Sequence, residues 1–254
     1  MDVATYLARI EYQGHVRPDH ETLRGLQLAH LLTVPFENLD IGLGRKIELD
    51  DQALWNKIIT NHRGGFCYEL NGLFAWLLKQ IGFEVTYLDA RDYHEDSDSF
   101  GIHFDHLALM VHAPGDTTRW LADVGYGDTF IQPLDIGSGD EQVQGLRGYR
   151  LEPFRGGHQL WERGFDGNWE RQYFFDLEAH NFPSEYEKTC IYHQTSSESV
   201  FTRKRVVSRL TRDGRVSISD GYLVMTKDGK QTRRPLKSED ELRQLLEDNF
   251  GFSL

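Results

Sequence analysis

The apolar residues of this chain change their spacing near residue 85, and that change constrains the fold more than any other feature. Upstream they recur every three to four positions. Val3, Tyr6, Leu7 and Ile10 mark one helical face, and Leu23, Leu26, Leu28, Leu31 and Leu32 a broader one. Pro18-Asp19 supplies a start for the second helix, and Pro35 follows its end. Asp50 or Asp51 is placed to cap a helix through Leu54, Trp55, Ile58 and Ile59. After Gly64-Gly65 comes the clearest pattern: Leu70, Leu73, Phe74, Leu77, Leu78 and Ile81, closed by Gly82, which predicts a helix with a glycine stop.

Downstream the period is two. Val85–Tyr87, Leu107-Leu109-Val111 and Trp120–Val124 read as strands. Asp166-Gly167 marks a hairpin turn within Trp161–Phe175, and Lys188–Tyr192 reads as a short strand. The glycine-rich, polar stretch from Gly125 to Gly157 reads as long loops. Near the C-terminus, Asp213-Gly214, Asp220-Gly221 and Asp228-Gly229 punctuate a β-meander. Ser238-Glu239-Asp240-Glu241 then opens a helix as a capping box, with Leu242, Leu245, Leu246 and Phe250 as its buried face. The order is helices, then strands, then a small mixed lobe, with no flexible linker between them.

Composition narrows the function classes. The 254 residues carry 28 Lys and Arg against 40 Asp and Glu, a net charge of −12. Such a surface argues against nonspecific nucleic-acid binding, so any polyanionic ligand must find a local positive patch. With only Cys67 and Cys190 there is no disulfide framework, and a reducing compartment is expected. The N-terminus lacks a signal-peptide pattern, and the most apolar run, Leu70 to Leu78, stops at Lys79, well short of the roughly 20 residues of a membrane span. A soluble, cytoplasmic protein without membrane partners is the expectation.

Cys67 is the residue around which chemistry can be built. It follows two glycines and opens the best-defined helix, where free N–H groups and the helix dipole favour a thiolate. Arg63 is expected to act in the same direction. A buried structural cysteine remains the competing reading from position alone. A thiolate nucleophile needs an imidazole and a group to orient it. His106 stands at the edge of an apolar strand, and Asp123 lies inside another, where a carboxylate is costly unless it is paired. The two also satisfy each other in a purely structural reading. His103 and His106 point to opposite faces of a strand, so no metal is expected there. Cys190 reads as a core residue and Arg203-Lys204-Arg205 as a solvated strand end. Gly125-Tyr126-Gly127 and Gly137-Ser138-Gly139 lack the rest of any phosphate-loop signature.

Four ordered motifs extend this reading. Arg63-Gly64-Gly65-Phe66-Cys67-Tyr68-Glu69-Leu70-Asn71 resembles the nucleophile motif of the arylamine N-acetyltransferases. Pro35-Phe36-Glu37-Asn38-Leu39 resembles the segment upstream of it. His106-Leu107-Ala108-Leu109 resembles the family's histidine strand, and Asp123-Val124-Gly125-Tyr126-Gly127 its aspartate strand, with Pro133-Leu134 at a further matching place. In the C-terminal third, Ser199 and Phe201 fit the family pattern and the residues just before them depart from it.

The resemblance implies an α+β fold: an N-terminal helical bundle (1–88), a central antiparallel β-barrel (89–192) and a C-terminal α/β lid (193–254). The triad it implies is of the cysteine-protease type. It makes Cys67 the nucleophile, His106 its base and Asp123 the carboxylate that holds His106. Arg9, Glu37 and Arg63 would brace the site, and the loop with Gly125, Tyr126, Gly127 and Thr129 would lie along CoA. Phe36, Phe66 and Phe130 are expected to line an acceptor pocket. The implied reaction passes an acetyl group from acetyl-CoA, a co-substrate and not a resident cofactor, through a cysteine thioester to arylamines, hydrazines or arylhydroxylamines. An amide synthase and a Cys-His-Asp hydrolase are the alternatives on the same residues.

Overall fold

The computed structural model describes all of residues 1–254, and its first third is helical. Helices α1 (Val3–Arg9) and α2 (His20–Thr33) start at Asp2 and Asp19, whose carboxylates accept the Thr5 and Thr22 N–H groups. A two-residue strand, β1 (Phe36–Glu37), and the short helices α3 (Leu39–Gly42) and α4 (Asp51–Trp55) follow, and α4, capped by Asp50, runs into a π-helical turn over Asn56–Thr60. Helix α5 (Cys67–Ile81) ends at Gly82 with φ 107°. Every residue from Cys67 to Ala75 is buried, so α5 is the bundle's central helix, enclosed on all sides. Burying Leu70, Leu73, Phe74, Leu77 and Leu78 stabilises it by about 1.5–3 kcal/mol each, which outweighs the ~1 kcal/mol of any cap.

The barrel sheet runs in the order β6-β5-β4-β2-β10-β9-β8-β7, with β3 paired to β2. Its strands are β2 (Glu84–His94), β3 (Ser99–Phe100), β4 (His106–His112), β5 (Trp120–Ala122), β6 (Leu134–Asp135), β7 (Gln142–Gln144), β8 (Arg147–Phe154), β9 (Gly157–Arg163) and β10 (Trp169–Phe175). Strand β4 has no solvent face. Leu107, Leu109 and Val111 pack on the bundle, while Ala108 and Met110 face the barrel interior, which explains its unbroken apolar sequence. The edges β6 and β7 are joined by side chains. Gln142 accepts from the Asp135 N–H at 2.8 Å and donates to its carbonyl at 3.1 Å. Gln144 likewise bridges the N–H groups of Ile131 and Gln132 and the Gln132 carbonyl.

Helices α6 (Glu187–Thr195) and α7 (Val200–Arg203) lead to the lid sheet of β11 (Val206–Thr211), β12 (Gly214–Ser219), β13 (Tyr222–Lys227) and β14 (Lys230–Pro235), then α8 (Glu239–Phe250). Strand β1 joins this sheet, with Phe36 opposite Ser208 and Glu37 opposite Val207, so the lid is hydrogen-bonded to the bundle. The α8 N-terminus is capped by Ser238 on the Glu241 N–H.

Three readings change. Lys188–Tyr192 belongs to α6, because Tyr186, Thr189, Cys190 and His193 are buried at helical spacing. The stretch from Gly125 to Gly157 contains β6, β7 and β8; buried Tyr149 and Leu151 alternate with half-exposed Arg150 and Glu152 beneath its glycine and polar composition. Arg203 ends α7, while Lys204 and Arg205 pair with Asp220 at 3.4 Å and Glu239 at 2.8 Å. The expected division at 88/89 falls inside β2, and that at 192/193 inside α6.

Candidate active site

Cys67 is the first residue of α5, and its N–H donates to no protein acceptor, as the first N–H of a helix does unless a cap reaches it. The two glycines before it serve close approach. A Cβ on Gly64 would lie 1.9 Å from the Pro35 carbonyl oxygen, and one on Gly65 2.7 Å from Glu69 Cβ. Glu69, two residues into the helix, accepts the Phe66 N–H at 3.1 Å and fixes the entry of the chain.

His106 opens β4 directly opposite Ala90 of β2, so its side chain turns to the barrel interior. Its Nε2 lies 2.7 Å from Asp123 Oδ2. A carboxylate can only accept there, which puts the hydrogen on Nε2 and leaves Nδ1 for Cys67. Asp123 is wholly buried, with 0% exposure, and accepts three further hydrogen bonds: Tyr173 Oη at 3.1 Å on Oδ2, Asn71 Nδ2 and the Gly125 N–H, each at 2.8 Å, on Oδ1. Asn71 stands one turn after Cys67 on the same face of α5 and also accepts the Val124 N–H. One helix thus holds both Cys67 and the Asp123 carboxylate. Gln27 of α2 accepts the Asp123 N–H at 3.3 Å.

Cys67 and His106 are each 3% exposed. Burial pushes the Cys67 thiol up, and the His106 imidazole, with the Leu107 N–H, works against that. Burial also opposes charge on His106, yet the Asp123 carboxylate and the contact with Cys67 outweigh it and hold the imidazole well above its usual range. On balance burial leaves the thiol above its usual range, so a Cys67 thiolate exists only as the partner of the protonated imidazole. Arg63 is not among the groups that act chiefly on the thiol. Contrary to expectation, its guanidinium is spent on Glu37 at 2.7 Å and Asp40 at 3.1 Å.

That pairing belongs to a buried network beneath the α5 N-terminus. Lys57 Nζ reaches Glu69 at 2.8 Å and Asp40 at 2.9 Å, and Glu37 Oε2 accepts the Leu39 N–H. Burial pushes the Glu69 carboxyl up to about 7 against the pull of Lys57. Arg9 donates to the carbonyls of Ile58, Thr33, His62 and Arg63, tying the end of the π-helical turn to α2. Lys57 and Asp40 carried no motif beyond a polar residue beside apolar ones.

The loop after Asp123 runs from the Cys67–His106–Asp123 cluster to a cavity. A Cβ on Gly125 would meet Cys67 Cα at 2.8 Å, and the Tyr126 ring stands edge-on to His106 with centroids 5.1 Å apart. Gly127, at φ 91°, passes under Phe36. Asp128 pairs with Arg147 at 2.7 Å and Arg215 at 3.0 Å, and Thr129 is buried with an Oγ1 that no protein group partners. Asp128 and Thr129 border a cavity of about 520 Å³ between bundle, barrel and lid, into which Arg147, Arg212 and Arg215 also face.

Of the aromatic residues singled out, Phe36 and Phe66 pack on Phe201 at 6.3 and 5.8 Å between ring centroids. Phe130, expected to line an acceptor pocket, lies fully buried in the barrel core against Tyr149 instead. The aromatic ring beside His106 is that of Tyr126. Cys190 is a core residue: burial pushes its thiol up to about 12, and Gln194 lies against it. His103 pairs with Asp89 at 2.7 Å, away from the triad.

Comparisons with known proteins bear on this geometry. A sequence model described as N-acetyltransferase matches residues 19–254. The arylamine N-acetyltransferase of Mycolicibacterium smegmatis is 32% identical over all of this chain and 93% of its own. The proansamycin X synthase of Amycolatopsis mediterranei is 30% identical over 96% of this chain and 95% of its own. The solved structure of Mycobacterium marinum arylamine N-acetyltransferase in complex with CoA superimposes with a TM-score of 0.92 at 29% identity, covering 99% of this chain and 93% of that one. With matches that run the length of the chain in both sequence and fold, the protein belongs to the arylamine N-acetyltransferase family.

Proposed function

We propose that Cys67, His106 and Asp123 are the residues that carry acetyl transfer in this protein. The reaction moves an acetyl group from acetyl-CoA to the nitrogen of an arylamine, with acetyl-CoA as co-substrate. In the first step the Cys67 thiolate attacks the thioester carbonyl, and the CoA thiolate leaves with the proton from His106 Nδ1. In the second, the amine nitrogen attacks acetyl-Cys67. His106 takes the amine proton as the C–S bond breaks and the thiolate returns. The oxyanion of both steps falls to the unpartnered Cys67 N–H. Asp123 keeps the imidazole in one tautomer and stabilises its cation.

The observation that carries this reading is the placement of a buried cysteine at a helix start against an imidazole bound to a fully enclosed carboxylate. Near-complete burial of the pair disfavours water as the acyl acceptor, which weighs against a hydrolase. We assign Gly125, Tyr126, Gly127 and Thr129 to the path of CoA. The loop links the sulfur to a cavity where Arg147, Arg212 and Arg215 stand among Asp128, Asp213 and Asp228, and Arg212, which is in no ion pair, is the group suited to a phosphate. Arg9, Glu37 and Arg63 hold the α5 N-terminus in place. The acidic chain with two free thiols fits a reducing cytoplasm, and no helix is long and apolar enough to cross a membrane.

The test is mass spectrometry of the intact protein and its peptides after exposure to acetyl-CoA without acceptor. One added acetyl group on Cys67, released by an arylamine, is the expected result. Label on Cys190, or turnover surviving Cys67→Ala, overturns it. The likeness to proansamycin X synthase favours a second reading in which the acyl donor is another thioester and the product an intramolecular amide. An enzyme that does not load from acetyl-CoA but loads from a longer acyl thioester would support that reading.

A further inference from the structure

One charged side chain near the triad has no task in the mechanism above. Asp92 lies on β2 two residues beyond Ala90, on the strand face that carries Leu88 and Ala90 into the barrel core. Ala90 is directly opposite His106, and Asp92 is directly opposite Tyr173, the residue whose hydroxyl bonds Asp123. Asp92 is thus diagonal to His106 on one face of the sheet, a relation that puts Cβ atoms about 7–8 Å apart. The Tyr126 ring packs against both His106 and Tyr173 on this same end of the barrel, at 5.1 and 4.9 Å.

Unlike every other carboxylate around the site, Asp92 is not satisfied by the protein. Its Oδ1 is sealed from solvent and receives no hydrogen bond. Asp123 has four donors, Asp105 has His193 Nε2 at 3.3 Å, and Asp89 has Arg91 and His103. A buried, unbonded carboxylate oxygen costs stability, on the order of 1–3 kcal/mol, unless something arrives to donate to it. Burial and the neighbouring Asp105 push the Asp92 carboxyl up to about 6, His106 draws it back, and its charge in turn acts on the Cys67 thiol.

We propose that Asp92 selects the acceptor: it receives a hydrogen bond from an N–H next to the nitrogen that attacks acetyl-Cys67, and it repels acceptors that carry a carboxylate. Aryl hydrazides and hydrazines, which place a second N–H beside the nucleophilic nitrogen, are the class it favours. Aminobenzoates are the class it disfavours. The inference rests on the proposed role of Cys67 and His106, since those residues fix where the attacking nitrogen stands.

The experiment begins from acetyl-enzyme formed in advance, so that failure to load, which would strike the proposed function itself, is seen separately. The second half-reaction is then timed with benzohydrazide and with 4-aminobenzoate, in the wild type and in Asp92→Asn and Asp92→Leu. A hydrogen bond to a charged group is worth about 1.5–3 kcal/mol, so the hydrazide-to-aminobenzoate ratio of rate constants should fall about 10-fold or more in both variants. An unchanged ratio in a folded variant overturns the proposal. The wild type alone supplies a second arm. It should prefer methyl 4-aminobenzoate to 4-aminobenzoate about 10-fold or more, because the ester lacks the charge. Equal use of acid and ester overturns the proposal even if neither variant folds.

Discussion

Asp123 shows how closely a single side chain can be specified. Both of its oxygens are used twice, by Tyr173 and His106 on one and by Asn71 and Gly125 on the other. An amide in its place must turn its NH₂ toward one of these pairs of donors, so Asp123→Asn opposes donor to donor whichever way it lies. Removal of the charge also takes away what holds His106 protonated. Both half-reactions should fall together by ~10²-fold or more. A folded variant acylating within a few-fold of wild type would show that Asp123 is structural. For Cys67, burial acts upward on the thiol and His106 is the main counterweight. While the imidazole stays protonated the thiolate persists, so alkylation by iodoacetamide should remain fast below pH 7. In His106→Gln the main counterweight to burial is gone, only the Leu107 N–H still opposes it, and the thiol rises further. Alkylation at pH 6.5 should then be slower by on the order of 10²-fold. Matching pH profiles for the two proteins would mean that no thiolate–imidazolium pair forms. Cys67 stood out by its place after two glycines at a helix start, His106 and Asp123 as polar groups in apolar strands that need a reason, and the family resemblance joined the three. Asn71, Tyr173 and Asp92 were not legible in this role, since their partners lie 52, 50 and at least 14 residues away on other elements.

At the level of elements, periodicity carried most of the information, and it failed where side chains substitute for backbone pairing. Helix α5 and strand β4 could be read from sequence because their apolar faces repeat over several residues. Strands β6 and β7 have two and three residues, too few to show a period, and their edges are closed by Gln142 and Gln144. A glutamine amide presents a donor and an acceptor at nearly the spacing of a peptide group, so it can stand in for one rung of a ladder. Gln144→Leu should leave two N–H groups and one carbonyl unpaired at the seam and cost about 1–3 kcal/mol. The readout is the midpoint of urea unfolding. A shift corresponding to less than about 0.5 kcal/mol, the range of ordinary surface changes, would mean that solvent replaces the amide without loss and the seam is not a structural feature. Because Gln144 also borders the cavity beside Thr129, the same variant should weaken use of acetyl-CoA if the loop carries CoA.

The whole molecule sets up an electrostatic problem and a local answer to it. The three regions are interlocked: β1 of the bundle is an edge of the lid sheet, and Arg215 of the lid binds Asp128 and the Gly127 carbonyl in the loop after the triad. Such long-range joints leave no local signature, which is why the sequence suggested three packed regions but not how the lid is fastened. The joint between them brings charges of both signs to one cavity, Arg147, Arg212 and Arg215 beside Asp128, Asp213 and Asp228. With a net charge of −12 the chain repels an anionic co-substrate at long range, and affinity must come from close contacts. In the cavity of about 520 Å³, Arg147 and Arg215 are committed to Asp128, whereas Arg212 makes no ion pair or hydrogen bond within the chain. Arg212 is therefore the guanidinium free to meet a phosphate. Loss of one charged hydrogen bond is worth about 1.5–3 kcal/mol, so Arg212→Ala should raise the KM for acetyl-CoA about 10-fold or more. The penalty should shrink as salt rises and screens the partly exposed site, with a Debye length near 10 Å at 0.1 M. Iodoacetamide alkylation of Cys67 should be unaffected, since Arg212 is not among the groups acting on that thiol. A KM for acetyl-CoA that is unchanged at low salt would place the phosphates outside this cavity and detach it from the path of CoA.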